Sequence, residues 1–471
     1  MILSGAATAL LLIQGCRESP ESLGVPGSPP LAALDVPQPD IVLVLVQHLR
    51  EDGLPDSAAV RFFQGLKRTG GVRYSAAYAH SPSPTVSFGS LLTGHYPSAI
   101  PLCDVGNRLG DRQFAQERPW CAQLPPERHQ LPAVLALYGY ETALFSRGQR
   151  DAGMLATGFE YHDDNPDAAT DWADLREQIS GWWTQAQGPR FATVVVSDLD
   201  VRRRPGLLAP AGIRDAGDLR YILPLEWGED DPLAPLRAPL YEAYSAEAGR
   251  IGSQLALLLD GLPGSPLVVV TSTVGMSLGE RTGLGNHPLG FFSQDYVVDR
   301  CVHVPLWLSP EGESALRSDP VELVDIFPTL TRWAQATPPH GLPGDDLSDA
   351  DQDGLAFAEY GPMLAVRGGR LLLTFHRPMP DASASDPWIT DVLRSTSPAA
   401  QRGHPGSDYA LHDVVADPFQ ARQLIDREPD TATILHQSLL DWRTGPDAPP
   451  EGRLSPEQIW ELRMNPAFGY W

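Results

Sequence analysis

The sequence predicts an α/β protein: a central mixed, mostly parallel sheet flanked by helices, followed by a small C-terminal α+β subdomain. Three observations carry this expectation. Short apolar runs rich in β-branched residues, such as Ile41 to Val46 (IVLVLV) and Leu267 to Thr271 (LVVVT), read as strands covered on both faces. Helical stretches alternate with these runs, as a sheet with helices on both sides requires. After Ala334 the composition shifts to a Pro/Gly/Asp-rich connector, and a new set of short strands begins.

The elements follow in order. Residues 41–46 form the first strand and 58–66 the next helix. Ser90 to Thr93 close a short helix that stops at Gly94, a residue suited to a left-handed cap. Leu131 to Leu137 is helical, and the chain turns at Gly139 into a strand running to Phe145. Phe191 to Val196 is a strand, Tyr241 to Leu259 a long amphipathic helix, Leu267 to Thr271 a strand, Val304 to Leu308 a shorter one, and Leu323 to Ala334 a helix. Beyond the connector, Leu364 to Phe375 reads as a hairpin turning at Arg367-Gly368-Gly369-Arg370. Tyr409 to Val415 reads as a strand and Asp430 to Trp442 as a helix. The expected organisation is a signal segment (1–16), a Pro/Ser-rich tether (17–38), a main domain (39–334), the acidic connector (335–354), the subdomain (355–445) and a tail (446–471). In that tail Trp460, Tyr470 and Trp471 are expected to pack onto the domain.

Charge excludes some functions. The 471 residues carry a formal charge of −24, against nucleic acid as a partner, because phosphate binding needs clustered Lys and Arg. The same charge argues against a surface built to attract polyanions. Hydrophobic residues make up 42%, enough for a real core.

At the start, Ala6 to Ile13 is apolar but too short to span a bilayer as a helix. Gln14-Gly15-Cys16 follows, resembling a bacterial lipoprotein signal in which Cys16 would carry the lipid and tether the chain to a membrane in the cell envelope. No Lys or Arg precedes Cys16, so an ordinary signal peptide or a start further upstream are the alternatives. In an exported protein Cys103 and Cys121 would pair across a Pro-rich loop or remain separate thiols. No CxxC or paired-His spacing points to zinc.

The order of segments resembles the sulfatase family of the alkaline-phosphatase superfamily. Pro39 to Val44 followed by Leu49-Arg50-Glu51-Asp52 is similar to the family's opening strand and turn. Tyr78-Ala79-His80-Ser81-Pro82 with Ser90-Leu91-Leu92-Thr93-Gly94 is similar to the segment around its nucleophile. Thr271-Ser272, Gly275 and Leu278-Gly279-Glu280 resemble the late metal-binding turn, and Leu323 to Leu330 the end of the main domain. Leu411-His412-Asp413 with Asp417-Pro418 resembles the last strand and turn. The resemblance runs from about residue 39 to 442 and implies a sulfatase-like sandwich.

It also implies a calcium ion held by carboxylates and a Cys or Ser nucleophile in a C/S-x-P-S-R motif, and here the sequence departs. Counting back from Ser90, the nucleophile position is Pro84 and the motif's Arg is Phe88. The acidic ligand after the first strand is Gln47, with His48 beside it, and the late Asp-His pair is Thr273-Val274. The family's Lys and His are Arg147 and Gln149, its middle His is Arg202 and its late Lys is Asn286. No calcium is expected in the old site, since a hard cation without anionic ligands gains too little to leave its water shell. The expectation is a non-catalytic pseudoenzyme that binds a ligand or protein partner in the envelope. The alternatives are an active sulfuric or phosphoric ester hydrolase with a remodelled site, and a structural lipoprotein.

Four sharper features have plainer readings beside them. Thr85, with Ser83 and Ser87, would be a shifted nucleophile or simply a set of capping hydroxyls. His48, Asp52, Asp198 and Asp200 would be a rebuilt metal site or structural acids at strand ends. Arg202-Arg203-Arg204 with Arg147 would rim an anion site or form a solvated run. Asp349, Asp351 and Asp353 open a calcium-loop pattern, but its twelfth position is Tyr360, so an acidic surface loop is the alternative.

Overall fold

The apolar run at 41–46 becomes strand β1 (Ile41–Val46), buried at every residue. The computed structural model describes residues 38–52, 57–68, 70–100, 129–149, 155–166, 169–200, 234–278, 297–309, 315–348, 354–360, 363–376, 398, 408–418, 420 and 422–444, with backbone alone at 234–237 and 376. After β1 come α1 (Ala58–Leu66), β2 (Val72–Tyr78), α2 (Pro84–Thr93), α3 (Leu131–Leu137), β3 (Glu141–Arg147), β4 (Tyr161–Asn165), α4 (Trp172–Gln185) and β5 (Arg190–Val196). There follow α5 (Ala234–Asp260), β6 (Leu267–Thr271), α6 (Asp299–Val302), β7 (His303–Leu308), β8 (Ala315–Arg317), β9 (Val321–Glu322) and α7 (Ile326–Trp333). The last group is β10 (Leu355–Tyr360), β11 (Met363–Gly368), β12 (Leu371–His376), β13 (Tyr409–Asp413) and α8 (Pro429–Thr444).

The described strands form two sheets. The larger has nine, in the order β4-β3-β5-β1-β6-β7-β2-β8, with β9 also pairing β2. All its pairings are parallel except those of β7 with β6 and β2. The smaller, β10-β11-β12-β13, is wholly antiparallel. This is the mixed sheet with a C-terminal α+β unit that the sequence predicts.

Both faces of the large sheet are covered, which explains its unbroken apolar runs. Val42, Val44 and Val46 pack with Phe62 of α1, Trp183 of α4 and Tyr244 of α5. Ile41, Leu43 and Leu45 face the other way, toward Leu91 of α2, Val134 of α3 and Phe327 of α7. Helices α1 and α5 cross at glycines: a Cβ on Gly252 would lie 2.1 Å from the Phe62 carbonyl oxygen, and one on Gly65 2.2 Å from that of Gly249.

Several elements differ from the sequence expectation, in their bounds or by having been left out. The helix expected over 323–334 begins as a 3-10 turn, Leu323–Asp325, because the Asp325 carboxylate accepts from the backbone N–H of both Glu322 and Asp345. The strand expected to reach Val415 stops at Asp413, whose carboxylate accepts from the N–H of Val415 and Ala416 and bends the chain. β4 (YHDDN) was not foreseen, since as an edge strand it has no apolar run to betray it.

The two sheets meet at a buried polar cluster. Tyr78 at the end of β2 donates to Asp299 (2.6 Å), His303 stacks on Tyr78, and Arg367 of β11 lies 3.6 Å from the same carboxylate. His80 ties them a second time: its Nδ1 donates to the Phe357 carbonyl of β10, while its Nε2 accepts from the Val324 N–H.

Candidate functional site

In an open α/β sheet the chemistry sits beyond the C-terminal ends of the strands. Three of the positions singled out in sequence converge there. Gln47 follows β1, Gln149 lies just past β3, and Thr273 lies just past β6. The Thr273 hydroxyl donates to Gln47 Oε1 at 2.5 Å, and Gln47 Nε2 donates to Gln149 Oε1 at 2.8 Å. The backbone supports this relay, since the Gln47 N–H donates to Val196 and the Ser197 N–H to Arg147. All three side chains are neutral, and all are buried.

Pro84 and Phe88 lie on α2. Ser83 caps that helix through Val86 N–H, and Pro84 is its first residue, where a missing N–H costs nothing. Phe88 is fully buried in the apolar layer with Leu91 and Leu92. Val274 is fully buried too. The neighbouring hydroxyls are used locally: Ser87 donates to the Ser81 carbonyl and accepts from its N–H. Thr85 is buried in the first turn of α2.

The four candidates for a rebuilt site are not drawn together. His48, held at φ 67°, has Nε2 3.9 Å from Asp200. Asp52 instead accepts from Tyr241 (2.9 Å) and faces Arg50 at 3.4 Å and Arg300 at 3.8 Å. Burial first, and then the Asp52 charge, push the Tyr241 hydroxyl up to about 12. Asp198 accepts from Thr170 N–H and from Arg250. Among the described residues no group of three or more His, Cys, Asp or Glu is placed to hold a metal ion.

Arg147, read in the sequence as part of either an anion rim or a solvated run, is turned inward. It donates to Asp163 at 2.7 Å and to Asp174 at 3.0 Å. Burial works against its charge, but these two carboxylates outweigh it and raise its pKa. The acids come from β4 and α4, two elements absent from the sequence reading, so the pairing was not legible. Cys16, Cys103, Cys121, Arg202, Arg203, Arg204, Asn286, Asp349, Asp351, Asp353, Trp460, Tyr470 and Trp471 lie outside the described residues.

Sequence reasoning missed the Arg50-Asp52-Arg300 group as a unit. Arg50 is buried, lies over the Tyr241 ring, and donates to the Met276 carbonyl. Arg300 sits far along the chain in α6, and nothing in its local sequence marks it as a partner of Asp52.

No family model matches the sequence, and no curated protein matches it. Solved structures do match. A protein from Bacteroides thetaiotaomicron described as a candidate sulfatase superposes with a TM-score of 0.59 at 16% identity, covering 90% of this chain and 96% of that one. A 2-O GAG sulfatase gives 0.58 at 16% identity over the same shares. Phosphonate monoester hydrolase of Agrobacterium radiobacter gives 0.56 at 16% identity, covering 86% of this chain and 95% of that one. With matches of this length to both kinds of enzyme, the chain has the fold that these solved sulfatases and the phosphonate monoester hydrolase share.

Proposed function

We propose that this protein is a sulfatase-like pseudoenzyme, a binding protein of the cell envelope that does not hydrolyse esters. The observation that carries the reading is the neutral relay Thr273-Gln47-Gln149 at the strand ends. A calcium ion takes about six to eight oxygen ligands, with carboxylates prominent among them. The residues present do not fit it: the Gln47 oxygen already accepts from Thr273, its nitrogen can only donate, and Val274 offers no side-chain donor atom. At the nucleophile position Pro84 has no atom able to attack, and at the motif's cationic position Phe88 belongs to the core. No step of ester cleavage is therefore derived.

The lipid tether at Cys16 and the envelope location belong to the same proposal, and rest on the Gln14-Gly15-Cys16 pattern. A partner would be met by the strand-end face. Calcium at Asp349, Asp351 and Asp353 would be structural.

The test is a hydrolysis screen of the purified protein with aryl sulfate, aryl phosphate and aryl phosphonate esters, beside Thr85→Val and Gln47→Leu. The proposal expects no turnover above the buffer rate. Turnover that either substitution abolishes would establish the active hydrolase instead.

A further inference from the structure

The relay has a direction, and the direction leaves something over. Thr273 is fully buried, so its hydroxyl hydrogen must find an acceptor, and Gln47 Oε1 is that acceptor. With its oxygen committed, Gln47 turns its NH2 group toward Gln149, whose oxygen receives it. Gln149 is thereby obliged to point its own NH2 group away from the relay. That nitrogen is buried and has no hydrogen-bond partner among the described residues, although the residue is only 6% exposed. A buried amide donor left without an acceptor destabilises the fold, because it has lost its hydrogen bond to water and gained none. The orphan thus comes from Thr273, three strands away, and it lies at the end of the sheet where open α/β folds bind ligands.

The surroundings select the chemistry of a ligand. The described arginines near the strand ends already face carboxylates: Arg147 faces Asp163 and Asp174, Arg250 faces Asp198, and Arg50 and Arg300 face Asp52. An anion would meet this balanced set within a chain of net charge −24. A cation would meet an N–H donor. An uncharged oxygen acceptor suffers neither penalty.

We infer that the Gln149 amide is a ligand-binding donor, set to receive a carbonyl or hydroxyl oxygen of an uncharged small molecule such as a neutral saccharide. The inference rests on the non-catalytic reading above and names the class of ligand for that same face.

The full chain is titrated separately with galactose, N-acetylgalactosamine, sulfate and calcium, read by unfolding midpoint and by calorimetry. Gln149→Glu and Gln149→Leu are run in parallel, with folding checked by circular dichroism. Gln149→Glu keeps an oxygen for Gln47 and replaces only the outward nitrogen, so it tests the donor even if Gln149→Leu fails to fold. The expected result is saccharide binding at least tenfold weaker in Gln149→Glu, with sulfate silent. Response to both sugars assigns a hydroxyl, and response to N-acetylgalactosamine alone assigns the carbonyl. Silence from both sugars, or sugar binding unchanged in Gln149→Glu, overturns the inference and leaves the non-catalytic reading standing. Sulfate or calcium binding that Gln47→Leu abolishes overturns both.

Discussion

Thr273 donates its hydroxyl hydrogen to Gln47 across the ends of β6 and β1, a neutral hydrogen bond buried at the strand-end face. Breaking it from one side leaves a buried polar atom unsatisfied. Gln47→Leu and Thr273→Val are each expected to lower unfolding stability by about 1–3 kcal/mol. The double variant should lose less than the sum, because neither partner is then left orphaned. Chemical denaturation of the four proteins in a double-mutant cycle checks this. Strict additivity would mean that the contact contributes nothing.

His80 makes the chain sensitive to acid. Burial lowers its pKa from 6.5 to about 4, the Phe357 hydrogen bond opposing this only in part. Its neutral Nε2 must accept from Val324 N–H, which a protonated ring cannot do. The unfolded chain therefore takes up the proton first as pH falls. The contribution is full above about pH 6.5 and is lost toward pH 4. Midpoints measured across that window should fall with pH, and fall less in His80→Gln.

The other tie between the sheets has the opposite dependence. His303 sends one ring nitrogen to Asp299 and the other to the Ser75 carbonyl, so both act as donors and the ring is charged. Burial works against that charge, but Asp299 prevails and, aided by Glu51, raises the pKa, while Arg367 opposes it. Stability from this pair is full below about pH 6.5 and lost as pH rises through the higher folded value. The carboxyl behaves conversely. Burial would raise Asp299, yet His303, Arg367 and Tyr78 hold it at about 2, so its contribution is present above 3.8 and lost only near pH 2. His303→Gln should flatten the alkaline limb of the midpoint profile and leave the His80 limb in place.

The crossing of α1 and α5 has no slack. Gly252→Ala sets a methyl 2.1 Å from the Phe62 carbonyl oxygen, a backbone atom that no rotamer change can move. Overpacking of this kind costs about 1–3 kcal/mol or more. Gly181→Ala on α4, where an added Cβ meets nothing within 4 Å, is the control and should leave the midpoint unchanged or higher.

What was legible in the sequence follows from where the signal lay. β1, α1, α3 and β6 fall on the residues expected, since each is an apolar run or stripe ended by a change of composition. β2 escaped notice because Arg73 and Ser75 interrupt its apolar residues. Helix α4 had a usable signal, an Asp171 cap followed by buried Trp172, Leu175, Ile179 and Trp183, and it was overlooked. At the site, Gln47, Gln149 and Thr273 were each singled out through the family resemblance. That they bond to one another depends on side-chain reach across the sheet, which no spacing along the chain encodes. Neither reading of Arg147 named its partners, for the same reason: Asp163 and Asp174 come from elements not foreseen.

Under the proposed function, the neutral relay Thr273-Gln47-Gln149 takes the place of a bound cation at the strand-end face. Metal content of the purified soluble protein after dialysis against calcium tests it most directly, measured in an Asp349→Ala/Asp351→Ala variant so that the acidic loop does not contribute. The account predicts no stoichiometric metal in that variant. One tightly held ion per chain, lost on adding Gln47→Leu, would contradict it.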